Sequence, residues 1–271
     1  MDEYKIEVNG KKINFKQAGT GQIVVLLHGV PCHLGLWDGV ISYLDKLYCV
    51  YAFDLLGYGE SDRGQSSEIN IKAQAMFLKD VFESMRLKNI ILVGHDIGGG
   101  IAQIMALLNP EILKAIVLID SVCYDSWPIE LLKVESKVSM MFEHLPVDVL
   151  YRLFISYIEG GLYNKSRAEE IAQKYWKYID RENGIKDFLE MVQSLNSKYT
   201  MEISHMLDKI KLPTLILWGK ADIYLKLSYG YRLSEDIKNS KIEIIDGAGH
   251  FLPEDQPEKV GKLIESFINS L

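Results

Sequence analysis

Asp96 stands in Gly94-His95-Asp96-Ile97-Gly98-Gly99-Gly100, an acid hemmed in by small residues. Two more polar residues lie far downstream: Asp222, in Trp218-Gly219-Lys220-Ala221-Asp222, and His250, in Asp246-Gly247-Ala248-Gly249-His250. Carboxylate, carboxylate and imidazole in that chain order match the parts of a nucleophilic triad. An aspartate has no hydroxyl to acylate, so serine-type acyl transfer is closed to it. A carboxylate can instead attack carbon directly and form an ester, which a water activated by His250 would cleave. Asp222 would fix the imidazole tautomer and stabilise the imidazolium. Asp120 also ends an apolar run and is a rival for that role, decided by which acid reaches the imidazole. The oxyanion of the second step needs two N–H donors, and the backbone amides of Val30 and Ile97 are placed to supply them. No metal or organic cofactor enters this chemistry. Read without chemistry, the Asp96 stretch is a Gly-rich turn with a capping Asp, or a dinucleotide loop. The second is weak, because Asp96 stands where a phosphate would have to approach. His28 reads as a loop-fixing hydrogen-bonder and His33 as an exposed side chain.

Residues so far apart need a scaffold that brings them to one edge. Apolar, β-branched runs predict strands at 4–8, 11–17, 23–27, 48–53, 89–93 and 115–119, then again at 213–219 and 241–245. Asn9-Gly10 between the first two is a hairpin signal. Helical patterns at 37–46, 71–85, 101–108 and 257–271 alternate with these strands, which argues for a mostly parallel sheet covered on both faces. In such sheets ligands sit at the carboxyl ends of the strands, where Asp96, Asp222 and His250 all fall. The turn Asp54-Leu55-Leu56-Gly57-Tyr58-Gly59-Glu60-Ser61-Asp62 is Gly-rich but lacks a P-loop ending, and reads as structural. Between the sixth strand and the next, the pattern is helical, at 128–144, 146–158, 166–180 and 185–194, with Gly160-Gly161 as a break. Residues 121–207 are therefore expected to form a helical cap, and 1–120 with 208–271 the core. The aromatic load of this segment is heavy, and most of it should be packing.

A chain of 271 residues can bury a sizeable core. Its net charge of −7 is mild and dispersed, which argues against a nucleic-acid surface. No apolar run is long enough to span a bilayer and the charged N-terminus does not read as a signal peptide. Three cysteines without metal or redox spacing suit reduced thiols, so a cytoplasmic protein acting on a small molecule is expected.

The elbow around Asp96, the loop His28-Gly29-Val30-Pro31, Asp222 and Gly249-His250 together resemble the α/β-hydrolase fold family over nearly the whole chain. Asp96 with the His-Gly-x-Pro loop resembles its epoxide hydrolase and dehalogenase branch. The resemblance implies Asp96 as nucleophile, His250 held by Asp222 as the water-activating base, and part of the oxyanion hole from the Val30 loop. Most dehalogenases of that branch carry Trp after the nucleophile, and some fluoroacetate-type ones Arg; here the residue is Ile97, which has no side-chain donor. Epoxide opening depends more on acids from the cap, commonly two tyrosines, and Tyr151 and Tyr199 lie loosely where such tyrosines fall. Epoxide hydrolysis is thus the leading expectation, and haloalkane or haloacetate dehalogenation, with indole donors such as Trp127 or Trp176, the alternative. A ligand-binding homologue without turnover is a reading of another class, as is a hydrolase in which Asp96 works as a base.

Overall fold

The computed structural model describes residues 2–129 and 144–271. Its centre is an eight-stranded sheet in the order β1-β2-β4-β3-β5-β6-β7-β8. The strands are β1 (Asp2–Val8), β2 (Lys11–Ala18), β3 (Ile23–Leu27), β4 (Cys49–Phe53), β5 (Ile90–His95), β6 (Leu113–Ile119), β7 (Thr214–Gly219) and β8 (Ser240–Ile245). The β1–β2 and β2–β4 pairs are antiparallel, and every later pair is parallel. The hairpin between β1 and β2 turns on Asn9 and Gly10 with φ of 51° and 75°, the left-handed pair that a two-residue turn demands. β5 and β7 are buried at every position, as expected of strands covered on both faces. Edge strand β8 instead alternates half-buried and exposed residues over most of its length.

Strand alternation divides the core in two. Val25 and Leu27 pack on one face of the sheet, against Leu78 and Phe82 of α3 (Ile71–Ser84), Ile101 and Met105 of α4 (Ile97–Leu108) and Leu233 of the later helix Leu227–Asp236. Val24 and Leu26 pack on the other, against Val40 and Ile41 of α1 (Asp38–Leu44) and Val260 and Ile264 of the last helix, Pro257–Ile268. At about 1.5–3 kcal/mol for each fully buried Leu, Ile or Val, these faces outweigh any local propensity. Between α1 and α3 lies the short α2 (Ser66–Ile69).

After β6 come α5 (Val147–Gly161), α6 (Ala168–Trp176), α7 (Gly184–Ser194) and α8 (Lys198–Ser204), with no strand among the described residues before β7. The expected helix at 128–144 falls almost entirely outside the described residues. Gly160-Gly161 does not break α5 but forms its last turn. The helix Leu227–Asp236, α9, is absent from the sequence reading, because its buried face consists only of Gly230 and Leu233. Two helices close the chain, α10 (Leu252–Asp255) and α11 (Pro257–Ile268). No helix among the described residues is long and apolar enough to cross a membrane.

Candidate active site

The loops after β3, β5, β7 and β8 leave the same edge of the sheet, since those strands are mutually parallel. At the end of β5 the chain turns sharply into α4, and Asp96 at the apex has φ 51° and ψ −117°. A non-glycine residue there is strained, typically by about 1–3 kcal/mol, and persists only where neighbours over-determine it. They do so here. The Asp96 amide donates to the Ile119 carbonyl at 3.1 Å, and its own carbonyl accepts from Gly99, Gly100 and Val122 at 3.0, 3.2 and 3.1 Å. Gly98 is forced by proximity, because a Cβ there would lie 2.4 Å from the Leu27 carbonyl oxygen.

The Asp96 side chain turns back onto backbone donors. Its Oδ2 accepts from the Val30 amide at 2.8 Å, and the Ile97 amide also hydrogen-bonds the carboxylate. Burial pushes the Asp96 pKa up to about 6, against the positive field of His250 and the two amides, with Asp222 adding to the rise. Asp96 is therefore mostly ionised at neutral pH.

His250 is buried, and its Nδ1 lies 2.9 Å from Asp222 Oδ2. Asp222 Oδ1 accepts from the amides of Tyr224 and Leu225 at 2.8 and 2.9 Å, which fixes the carboxylate for the imidazole. Burial pulls the His250 pKa down, but the charge and hydrogen bond of Asp222, with the charge of Asp96, more than offset it, and the net shift is upward. Asp120 does not pair with the imidazole. Its Oδ1 accepts from the Gly219 amide at 2.7 Å, its Oδ2 has no partner, and burial followed by repulsion from Asp222 drives its pKa well up. His95, which no sequence pattern singles out, sets its Nε2 2.8 Å from the His250 carbonyl, with its ring 4.9 Å from that of His250. Burial holds its pKa well below the ordinary value, so it is neutral and donates to that carbonyl, anchoring the His250 loop.

Asp96 and His250 share a cavity of about 20 Å³ with Val30, Ile97, Trp127 and Tyr157. That is room for roughly one water. Two of its lining residues are tyrosines, but neither is Tyr151 or Tyr199. Tyr151 packs its ring 5.2 Å from Trp176, and Tyr199 carries the Lys198 ammonium 4.7 Å over its ring. The structure brings Tyr157 and Tyr224 to the cavity instead. The Tyr224 hydroxyl donates to the Tyr157 carbonyl, and the two rings stack 4.9 Å apart. Burial first, then the charges of Tyr224 and Asp96, raise the Tyr157 pKa far above normal, so its hydroxyl keeps its proton. Helix periodicity could have found Tyr157, since it lies seven residues after Leu150 on the face that also buries Phe154. Nothing comparable marks Tyr224.

The Trp127 indole donates to Thr200 Oγ1 at 2.8 Å and is not free to hold a halide. His28 fixes its loop, with Nδ1 2.9 Å from the Gly29 carbonyl and Nε2 accepting from the Leu55 amide at 3.0 Å. His33 is not exposed. It is buried, its Nδ1 caps Gly35 at 2.9 Å, and its ring lies 4.6 Å from that of Tyr178. Asp54 organises the Gly-rich turn, accepting from the amides of Leu34 and Glu60 at 2.7 and 2.9 Å. Among the described residues no cluster of three His, Cys, Asp or Glu could hold a metal.

The chain is similar to proteins of known class. Human epoxide hydrolase 4 is 27% identical over 285 residues, covering 97% of this chain and 77% of the relative. Human monoacylglycerol lipase is 27% identical over 258 residues, covering 92% and 75%. An α/β hydrolase fold protein from Burkholderia ambifaria superposes with a TM-score of 0.89 at 21% identity, covering 96% of each chain. The family model described as the alpha/beta hydrolase fold matches residues 22–257, so a carboxylate elbow and its Asp222–His250 pair sit on a chain that belongs to the α/β-hydrolase family and is an enzyme of hydrolase type.

Proposed function

We propose that this hydrolase opens epoxides through an ester of Asp96, beneath a cap formed by residues 121–207. The observation that carries the reading is the pair of amides, Val30 and Ile97, already bonded to the Asp96 carboxylate itself. Donors in that position stabilise charge on the side chain's own carboxyl group, which is where an oxyanion develops when water attacks an aspartyl ester. In a site that activates a serine, the same donors would serve a substrate carbonyl.

In the first step Asp96 Oδ1 attacks an epoxide carbon, a new C–O bond forms, and the old C–O bond to the ring oxygen breaks. The Tyr157 hydroxyl gives its proton to the departing alkoxide, an acid contribution typically worth ~10²–10⁴-fold. In the second step His250 takes a proton from water, which adds to the Asp96 carboxyl carbon. The oxyanion is held by Val30 and Ile97, each donor worth about 3–4 kcal/mol. Collapse releases a diol and regenerates Asp96, and the imidazolium proton balances the one Tyr157 gave up. The water-sized cavity between Asp96 and His250 supports the second step. A halide leaving group is less well served, since Ile97 has no side-chain donor and the Trp127 indole is committed to Thr200.

The test is to trap the ester. His250→Gln treated with an epoxide should gain the substrate's mass on the peptide bearing Asp96, and Asp96→Asn should neither gain it nor turn over. In a single turnover of wild type in ¹⁸O water the diol should carry unlabelled oxygen from Asp96. Label in the first-turnover diol with no adduct in His250→Gln would make Asp96 a base, and the proposal would be withdrawn.

A further inference from the structure

A second, far larger cavity adjoins the first. Its volume is about 450 Å³, within the range of small-molecule sites, and it lies among α5, α6, α7 and the loop after Asp222. The two cavities meet at Val30, Tyr157 and Tyr224, which line both. The walls of the larger one are apolar, formed by Leu150, Phe154, Trp176, Phe188, Leu189 and Val192. Among the described residues no charged side chain lines it. Leu153 and Ile223 stand at its rim, 49% and 68% exposed. The two chambers therefore make opposite demands. The one at Asp96 accepts a group about the size of a water, while its neighbour is larger by a factor of about twenty.

Resting on the epoxide reading above, we infer that the substrate is a terminal epoxide whose unsubstituted carbon reaches Asp96 and whose other carbon carries an uncharged apolar chain lying in the 450 Å³ cavity. Size sets the regiochemistry. A second substituent on the attacked carbon would have to fit beside Leu195 and Leu225 in the small chamber. Chemistry sets the chain. An unpaired carboxylate in the larger cavity would lose its hydration with no cation among the described lining residues to replace it. Asp96 Oδ1 bonds to the terminal carbon, the bond from that carbon to the ring oxygen breaks, Tyr157 protonates the alkoxide on the inner carbon, and hydrolysis by one water yields a terminal diol.

The test compares butyl, hexyl and octyl oxirane with dibutyl oxirane, an internal isomer of the octyl compound, and with octyl oxirane bearing a terminal carboxylate. kcat/KM should rise about two- to fourfold per added methylene, tenfold or more from butyl to octyl. The carboxylate and the internal isomer should both fall below butyl oxirane. Multiple turnovers in ¹⁸O water should place label on the terminal carbon of the diol. Val192→Phe and Ile185→Trp, which narrow the larger cavity from two helix positions, should flatten the length dependence. Binding of unreactive butanamide and octanamide, followed by calorimetry, separates this inference from the one beneath it. Adducts on Asp96 formed equally well from every chain length, with no preference for octanamide, would overturn the chain assignment and leave the Asp96 ester standing. Strong octanamide preference lost in both variants, with no adduct from any oxirane, would uphold the apolar subsite and overturn the epoxide. Label on the inner carbon would overturn the regiochemistry.

Discussion

Asp96→Asn should make the protein more stable, and only above mildly acidic pH. The Asp96 pKa rises from 3.8 to about 6 in the folded chain because the carboxylate is buried. A raised folded-state pKa means that the native protein holds this proton more tightly than the unfolded chain does. The associated stability is complete below about pH 4 and is lost as the pH climbs through about 6. At about 1.4 kcal/mol for each pH unit, keeping Asp96 ionised in the native state costs up to about 3 kcal/mol at neutral pH. Asparagine cannot ionise but keeps an oxygen to accept from the Val30 amide, so it removes the cost without opening a cavity. Loss of the attraction to His250 offsets part of the gain until that imidazole is neutral. Melting curves of both proteins, taken between about pH 4 and pH 9, should coincide at the acid end. They should then diverge to about 5–10 °C in favour of Asn, at roughly 2–4 °C per kcal/mol for a chain near this size. An Asn variant no more stable than wild type at about pH 8, or a difference independent of pH, would show that the Asp96 carboxylate is solvated and not held desolvated for attack.

Two further sets of substitutions separate residues that the sequence alone leaves equivalent. Asp222→Asn should lower turnover by about 10³–10⁴-fold, as loss of the tautomer-fixing acid does elsewhere, whereas Asp120→Asn should retain turnover within about tenfold, because Asp120 accepts from the Gly219 amide and does not touch the imidazole; steady-state kinetics on the two variants decides. Tyr157→Phe should lower the rate of Asp96 alkylation by about 10²-fold or more in single-turnover measurements, while Tyr151→Phe and Tyr199→Phe, whose rings pack against Trp176 and beneath Lys198, should leave that rate within about threefold.

The sheet and its functional edge were legible in the sequence for one reason. Continuous burial in Val24–Leu27, β5 and β7 is written directly in their unbroken apolar, β-branched residue types. The same holds for the elbow, where small residues around Asp96 are imposed by contacts as close as that of Gly98 with Leu27. What was not legible depends on long-range packing. His33 was expected in solvent and is buried, because α6 and its following turn bring Tyr175 and Tyr178 onto its ring, a contact more than a hundred residues distant. Tyr151 and Tyr157 are six residues apart on α5, about 120° around its axis, so only one of them can face Asp96. The buried stripe through Leu150 and Phe154 selects Tyr157, but which buried stripe looks onto Asp96 is set by packing on the core. Asp120 and Asp222 both end strands, and only the pairing of β6 with β7 places the Gly219 amide against the first and leaves the second for His250.

On the proposed reading, the charge pattern of the site lets one imidazole serve the second chemical step without hindering the first. While Asp96 is ionised, its charge and that of Asp222 hold the His250 pKa up. Protonated His250 then favours the carboxylate form of Asp96, which is the form that attacks. On the proposed reading, ester formation neutralises Asp96 and removes one of the two charges that favour the imidazolium. Burial remains and pulls the other way, so His250 becomes easier to deprotonate just when a base is required. Asp222 stays hydrogen-bonded to Nδ1 of the ring, and the imidazolium re-forms against it as water is deprotonated. A serine at the elbow would carry no charge to lose, and His250 would have to act as base in the first step as well. On that reading, an aspartate rather than a serine at the elbow changes more than the nucleophile. It makes the protonation state of His250 follow the covalent state of its neighbour.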